Sequence, residues 1–211
     1  MLAERRKLPA VLVGKDNQFD GPDGPLSLKD LFGSATQLIV YHYMFEPEWE
    51  EGCTGCAFMA ANFPDLRHLA QRETSLAVIS RSPIDKITAW KNKNFWKFQW
   101  VSSLGSDFNY DYHVTLDENV APVEYNFKTK AELEASGQKG PWKGEMPGLS
   151  VFKLEDDQVY HTYSNYANID NIAAADAWLD LTPRGRDHGP LGPAEFKTPW
   201  EYAQEELRVK Q

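Results

Sequence analysis

Two cysteines, Cys53 and Cys56, stand two residues apart in the stretch GCTGC spanning 52–56, and they are the only ones in the chain. Thiols at this spacing have three uses. They can exchange with disulfides: at a helix start, unpaired backbone N–H groups and the helix dipole stabilise a thiolate, and CxxC sites lower a thiol pKa from about 8.5 into a range of roughly 3.5 to 7.5. They can ligate a soft metal, or pack as small apolar side chains. A structural zinc site wants four ligands, and neither a second CxxC nor a His pair is present; His42, His68, His113 and His161 are isolated. Two thiolates and one His would suit copper(I).

Position favours the redox use. The pair opens a helix-like segment directly after an apolar, strand-like run. Cys53 at the helix end presents its sulfur to substrate and is the expected nucleophile; Cys56, one turn in, is shielded and close enough to resolve a mixed disulfide. Gly55 relaxes the backbone and leaves room for a partner, and Thr54 beside it is an expected substrate contact. Glu46, Glu48, Glu50 and Glu51 precede the pair. Folded over the site, these carboxylates raise the thiol pKa; turned to water, they are screened.

The flanking segments indicate what positions the pair. QLIVYHYMF at 37–45 reads as a strand buried on both faces, hence central in a sheet covered by helices. Residues 53–71 are helix-like with Phe58, Phe63, Leu66 and Leu69 on one face, and Pro64 predicts a break near Asn62. SLAVIS at 75–80 is a second buried strand. Pro83 starts a helix through 94 with Ile84, Ile87 and Trp90 on one stripe. Strand, helix, strand, helix implies a parallel pair with a right-handed crossover. Upstream, Pro22-Asp23-Gly24 turns two short strands, and Ser27 caps a short helix with Leu28, Leu31 and Phe32. Downstream come a short strand at 99–102, an excursion over about 117–146 rich in Gly and Pro with its ends close together, and a hairpin of 149–155 and 158–163 turned by Asp156-Asp157. A helix over 168–181 directs Ile169, Ile172, Ala173 and Leu179 inward. The expected organisation is an arm over 1–17, one domain over 18–181 and an extended tail over 182–211.

Composition bounds the function. With 42% hydrophobic, 13% aromatic and 25% charged residues the chain is globular. A net charge of −9 disfavours nucleic acid and anionic lipid, whose binding depends on Lys and Arg. No apolar run has the length of a signal peptide or a membrane span, so the expectation is a soluble, cytoplasmic protein. Two cysteines exclude a disulfide-stapled scaffold. Ser102, Ser103, Ser106, Asp107, Asn109 and Asp111 follow a strand end, where they form either a pocket wall or a structural loop with Asx turns. The Trp and Phe cluster at 95–100 is core or protein interface.

The order of strand, CxxC, strand, helix, excursion and then MPGLSVFKLEDDQVYHTYSNY at 146–166 resembles the thioredoxin superfamily. There a cis-proline lies against the cysteine pair directly before an antiparallel strand, and Met146-Pro147 stands at that place. More closely, LIVYHYMFEPEW at 38–49, GCTGC at 52–56, VSSLGSDFNYDYHV at 101–114, PGLSVF at 147–152 and HTYSNYA at 161–167 are similar to the thioredoxin-like family catalogued as domain of unknown function 899. The resemblance covers roughly residues 5–188. It implies an α/β thioredoxin-like fold of the peroxiredoxin and thiol-reductase branch, a central mixed sheet flanked by helices, with QFDGPDGPLSLKDLFG at 18–33 as the leading hairpin. It implies that Met146 and Pro147 present backbone to a bound partner. Where thioredoxins have Trp before the first cysteine this chain has Gly52, and Trp49 is expected in similar space. Where peroxiredoxins place Ser or Thr three residues before the reactive cysteine this chain has Glu50, and Pro47 is out of register. The expected function is thiol–disulfide oxidoreduction on a protein or small-molecule disulfide or thiol, with no cofactor beyond the cysteine pair. The alternatives are a non-catalytic binder of a partner or of copper(I), and a peroxidase of atypical motif.

Overall fold

The computed structural model describes residues 2–138 and 142–209; Gly140 and Pro141 of the excursion lie outside these. The arm begins with α1 (Leu2–Arg5), and β1 (Val11–Leu12) lies against the last strand of the sheet. A hairpin follows, β2 (Gln18–Gly21) and β3 (Gly24–Ser27). Ser27 and Asp30 then cap each other: the Ser27 hydroxyl donates to the Asp30 carboxylate at 2.7 Å and accepts the Asp30 N–H at 3.3 Å. This starts a 3-10 turn at Asp30–Phe32, shorter than the expected helix because Leu28 lies before it, and it buries Leu31 and Phe32.

β4 (Gln37–His42) leads to the cysteine loop and α2 (Thr54–Ala61), which stops at Asn62 before Pro64, as the proline requires. Asp65 caps α3 (Leu66–Ala70) by accepting the Arg67 N–H at 3.0 Å. β5 (Thr74–Ser80), α4 (Ile84–Lys93) and β6 (Gln99–Ser102) complete the parallel part, with β5 between β4 and β6. The two-residue alternation of a strand explains why the middles of these runs are apolar on both faces. Leu38 and Val40 of β4, Ala77 and Ile79 of β5 and Val101 of β6 enter one core with Phe19, Phe108 and Phe152. Tyr41, Val78 and Trp100 enter the other, with α2, Ile87, Trp90, Trp96 and Phe98. The aromatic cluster at 95–100 is therefore mostly core; only Phe95, at 58% exposure, looks outward.

α5 (Phe108–Asp111) and β7 (Thr115–Leu116) lead into the excursion, which contains the hairpin of β8 (Glu124–Tyr125) and β9 (Lys128–Thr129), and α6 (Lys130–Ala135) with a Thr129–Glu132 capping box. β10 (Gly144–Glu145) pairs with β7, so the ends do meet. β11 (Gly148–Glu155) runs antiparallel to both β4 and β12 (Gln158–Asn165), and the β11–β12 turn is made by Asp156 and Asp157 at φ 48° and 65°. The eight-stranded sheet has the order β1-β12-β11-β4-β5-β6-β2-β3. A βαβ unit followed by an antiparallel hairpin, with the helix after β4 carrying the cysteines, is a thioredoxin-like α/β arrangement. No helix of the described residues is long and apolar enough to cross a membrane.

Two local expectations are corrected. The helix over 168–181 is two pieces, a 3-10 turn at Ile169–Ile172 and α7 (Ala174–Leu179), because Ala173 is extended at φ −69° and ψ 123°. That break keeps Ile169 and Ala173 inside but turns Ile172 outward, at 65% exposure. The tail is not extended: it forms a 3-10 turn at Gly192–Glu195 and the helix α8 (Pro199–Val209). Its prolines read as breakers, yet Pro199 occupies a first turn, where the missing N–H costs nothing. Thr198 and Glu201 close a capping box on it, with Thr198 N–H donating to Glu201 at 2.7 Å and Glu201 N–H to the Thr198 hydroxyl at 3.3 Å.

His42 supplies a pH test of the sheet. It is 1% exposed, and its Nε2 lies 2.9 Å from the hydroxyl of Ser150 on β11. Burial, aided by the charge of His161, lowers its pKa from 6.5 to about 3. The unfolded chain binds this proton at the ordinary pKa and the folded chain does not, so the contribution to stability is complete above about pH 6.5 and declines toward pH 3. The shift predicts a loss on the order of 4 kcal/mol by pH 3 from this one group. Urea unfolding across that range should show a markedly flatter pH dependence in His42→Gln; an unchanged slope would refute the assignment.

Candidate redox site

The cysteine pair is placed by bonds to the sheet and to α4. The Cys53 N–H donates to the carbonyl of Met44, just past β4, at 3.1 Å. The Tyr43 hydroxyl donates to the Cys53 carbonyl at 2.9 Å and accepts the indole N–H of Trp90 at 3.0 Å. These contacts leave no space beside Gly52: a Cβ there would lie 2.7 Å from both Trp90 Nε1 and Tyr43 Cε1. The absence of a thioredoxin-type Trp before the first cysteine is therefore steric.

Cys53 is the N-cap of α2, half-buried, and Cys56 lies in its first turn, 2% exposed; both are free thiols. The Cys53 pKa falls from 9.0 to about 7, chiefly through the hydrogen bond from the Cys56 thiol, with backbone N–H groups of Cys56 and Gly55 adding and burial opposing. Burial drives the Cys56 thiol well above its ordinary value, and the bond to Cys53 adds to this. The Tyr41 hydroxyl, hydrogen-bonded to the Cys56 sulfur, acts in the opposite sense. Tyr41 is itself fully buried, and burial keeps its phenol neutral and able to donate.

The acidic loop is directed elsewhere. Glu50 pairs with Lys86 at 3.1 Å and Glu51 with Lys93 at 2.5 Å, both lysines on α4, while Glu46 accepts the Glu145 N–H at 3.2 Å. Lys86 also holds the carbonyls of Pro47 and Trp49, at 3.2 and 3.1 Å. Lysines of α4 thus hold two of the four carboxylates that the sequence places before the thiols.

A cleft of ≈ 400 Å³ is lined by both cysteines, and by Gly55 and Pro147 with them. The other three expected contacts are not in its wall. Thr54 is exposed on the first turn of α2, Trp49 packs half-buried against the core, and Met146 is held by its N–H to the Val114 carbonyl at 2.8 Å. The described residues contain no cis peptide bond, so Met146-Pro147 is trans, contrary to the resemblance. The pairing of β10 with β7 and the Met146 bond bring the chain to Pro147 extended, in the lower-energy isomer. Lining residues not anticipated are Tyr41, Met44, Met59, Tyr166, Asn168, Ile169, Asp170 and, from the tail, Leu191, Pro193 and Ala194. Strand alternation already set Tyr41 on the face of β4 shared with Tyr43, but no local pattern connects residues near 193 with Cys53.

The 102–112 segment is structural. The Ser103 hydroxyl donates to Asn109 at 2.8 Å, and the Asn109 amide to the buried Glu145 carboxylate at 2.9 Å, which Thr115 also binds at 2.7 Å. A larger hollow of ≈ 750 Å³, between Leu179 and Phe196, contains neither cysteine. Among the described residues no three His, Cys, Asp or Glu side chains group as a metal site.

Two measurements test this geometry. Alkylation of the reduced protein should follow a pH profile with a midpoint near 7 for Cys53, moving upward in Cys56→Ala, where the chief donor is gone; an unmoved midpoint would show that the neighbouring thiol is not the cause. Gly52→Ala should destabilise the fold by about 1–3 kcal/mol through overpacking against Trp90 and Tyr43, read as a lowered urea midpoint.

Several solved structures are similar to this chain. Xanthomonas campestris peroxiredoxin Q aligns with a TM-score of 0.48 and 13% identity, covering 80% of this chain and 95% of that one. The peroxidoxin BcpB of Mycobacterium tuberculosis gives 0.40 and 16%, with 79% and 93% covered, and the reduced 2-Cys peroxiredoxin of Plasmodium vivax 0.46 and 14%, with 77% and 93%. A search of curated proteins found no match. The family described as "Bacterial protein of unknown function (DUF899)" matches residues 1–206, and the chain belongs to it.

Proposed function

We propose that the protein is a thiol–disulfide oxidoreductase in which Cys53 attacks and Cys56 resolves. The observation that carries this reading is the inequality of the two thiols: a half-buried Cys53 at a helix N-terminus with a pKa of about 7, against a buried Cys56 with a raised one. At neutral pH about half of Cys53 is thiolate, while Cys56 stays protonated and donates to it. Attack by Cys53 on a disulfide sulfur makes a mixed disulfide and removes the acceptor of the Cys56 proton. Cys56 then attacks Cys53 Sγ, and the Tyr41 hydroxyl stabilises the thiolate it passes through. The cleft wall has no Ser, Thr or Arg to polarise a peroxide, which favours disulfide exchange over peroxidase chemistry.

The test is a redox titration of metal-free protein in graded thiol/disulfide buffers, scoring the Cys53–Cys56 state by alkylation and intact mass. A reversible two-electron transition is expected, nearer the thioredoxin value of about −270 mV than the −120 mV of a strongly oxidising site, because the Cys53 pKa is only modestly lowered. If no intramolecular disulfide forms across that interval, the proposal fails. Tyr41→Phe should leave the first attack unchanged and lengthen the life of the mixed disulfide, followed by rapid quench and mass.

A further inference from the structure

One wall of the cysteine cleft comes from the far end of the sequence. After α7 the chain returns past the start of α2 and sets Leu191, Pro193 and Ala194 in the wall of the cleft. A Cβ added to Gly55 would stand 3.7 Å from the Ala194 nitrogen, so the open side of this glycine faces the strap. The strap is pinned at several points. Phe196 stacks on Phe58 of α2 with ring centroids 4.4 Å apart. His188 lies 3.0 Å from the buried Asp176 of α7, and Arg186 pairs with Asp170 at 2.7 Å and Asp180 at 2.9 Å. The Glu195 carboxylate accepts the N–H groups of Gly189 and Leu191 at 2.9 and 3.0 Å, which closes the turn.

Two consequences bear on the substrate. A bulky partner approaching Cys53 over Gly55 meets Ala194. The cleft itself has no Lys, Arg or His in its wall, and its one carboxylate, Asp170, is already paired with Arg186; Met44, Met59, Ile169, Leu191 and Pro193 make it mainly apolar. An anionic molecule entering it loses hydration and gains no cation, in a protein of net charge −9.

We propose that the substrate is a small, uncharged, mainly apolar disulfide, and that the strap excludes folded protein disulfides; this rests on the thiol–disulfide reading above. The Cys53 thiolate attacks one sulfur of R–S–S–R, that bond breaks, and the departing thiolate takes the Cys56 proton. Cys56 then attacks Cys53 Sγ, and the second R–S⁻ leaves and takes a proton from solvent. Two electrons pass from the dithiol to the substrate, leaving a Cys53–Cys56 disulfide and two thiols. A low-molecular-weight dithiol returns the pair to its reduced form.

The experiment is single-turnover oxidation of the reduced full-length protein by hydroxyethyl disulfide, glutathione disulfide or insulin, each rate divided by that of free dithiothreitol with the same oxidant. Hydroxyethyl disulfide should exceed glutathione disulfide by about tenfold or more, the effect of desolvating carboxylates without a partner, and insulin should be slower still. Glu195→Ala, which releases the strap turn, should raise the insulin rate about tenfold, a change of about 1.4 kcal/mol, and leave hydroxyethyl disulfide within about twofold. Leu191→Ser, at a side chain 71% exposed, gives a second opening of the wall should the first variant fail to fold. Equal normalised rates for the three oxidants, or an insulin rate unmoved by both variants, would overturn the proposal and leave the thiol–disulfide function standing. Failure of all three to oxidise the Cys53–Cys56 pair would instead sink that function.

Discussion

The site depends on one buried hydroxyl. Tyr43 lies directly beyond β4 and its phenol joins three elements, accepting from Trp90 on α4 and donating to the carbonyl of Cys53 at the head of α2. The Tyr43 oxygen is out of reach of water, so losing either partner would leave a buried polar group unpaired. This requirement sets where α2 can begin, and with it where the first thiol stands. It also dictates glycine at position 52, because the three groups meet too closely for any side chain.

Given that placement, the difference between the thiols follows from burial and hydrogen bonding. Cys53 receives donors from the open end of a helix and from Cys56, so its charged form is favoured; Cys56, one turn deeper, has burial against it, with the Tyr41 hydroxyl and the Met44 backbone acting the other way. The acidic run before the pair leaves this arrangement alone because α4 offers lysines at the right distance. Lys86 and Lys93 hold Glu50 and Glu51 over α4, and Glu46 turns toward the strand that leads to Pro147. The same contacts order the loop that carries Trp49, whose ring packs on the core beside the site and not in its cleft.

Much of the sheet was legible because its signals are local. The runs at 37–45 and 75–80 are apolar on both faces along their middles because alternate residues enter separate cores, and Pro64 stops α2 where a proline must. The turn at Asp156-Asp157 is made by residues that accept positive φ. The misses came where a local rule has a competing exception. Prolines in the tail suggested extended chain, yet Pro199 sits where helices tolerate it and a Thr198–Glu201 capping box follows, a pattern readable in the sequence itself. Ile172 fits the stripe of a continuous helix, but a single extended residue, Ala173, interrupts it.

The sequence by itself determined the spacing of the cysteine pair, the strand and helix that frame it, and the order of elements that makes the fold, since each depends on residue type at short spacing. Only the tertiary structure decided the surroundings of the pair: Tyr41 against Cys56, lysines drawing off the acidic loop, a trans Pro147 in the wall, and the strap at Leu191–Ala194. Those contacts join residues as far apart as Gly55 and Ala194. Their energy depends on where the sheet and helices bring the chain, which nearest-neighbour patterns do not encode.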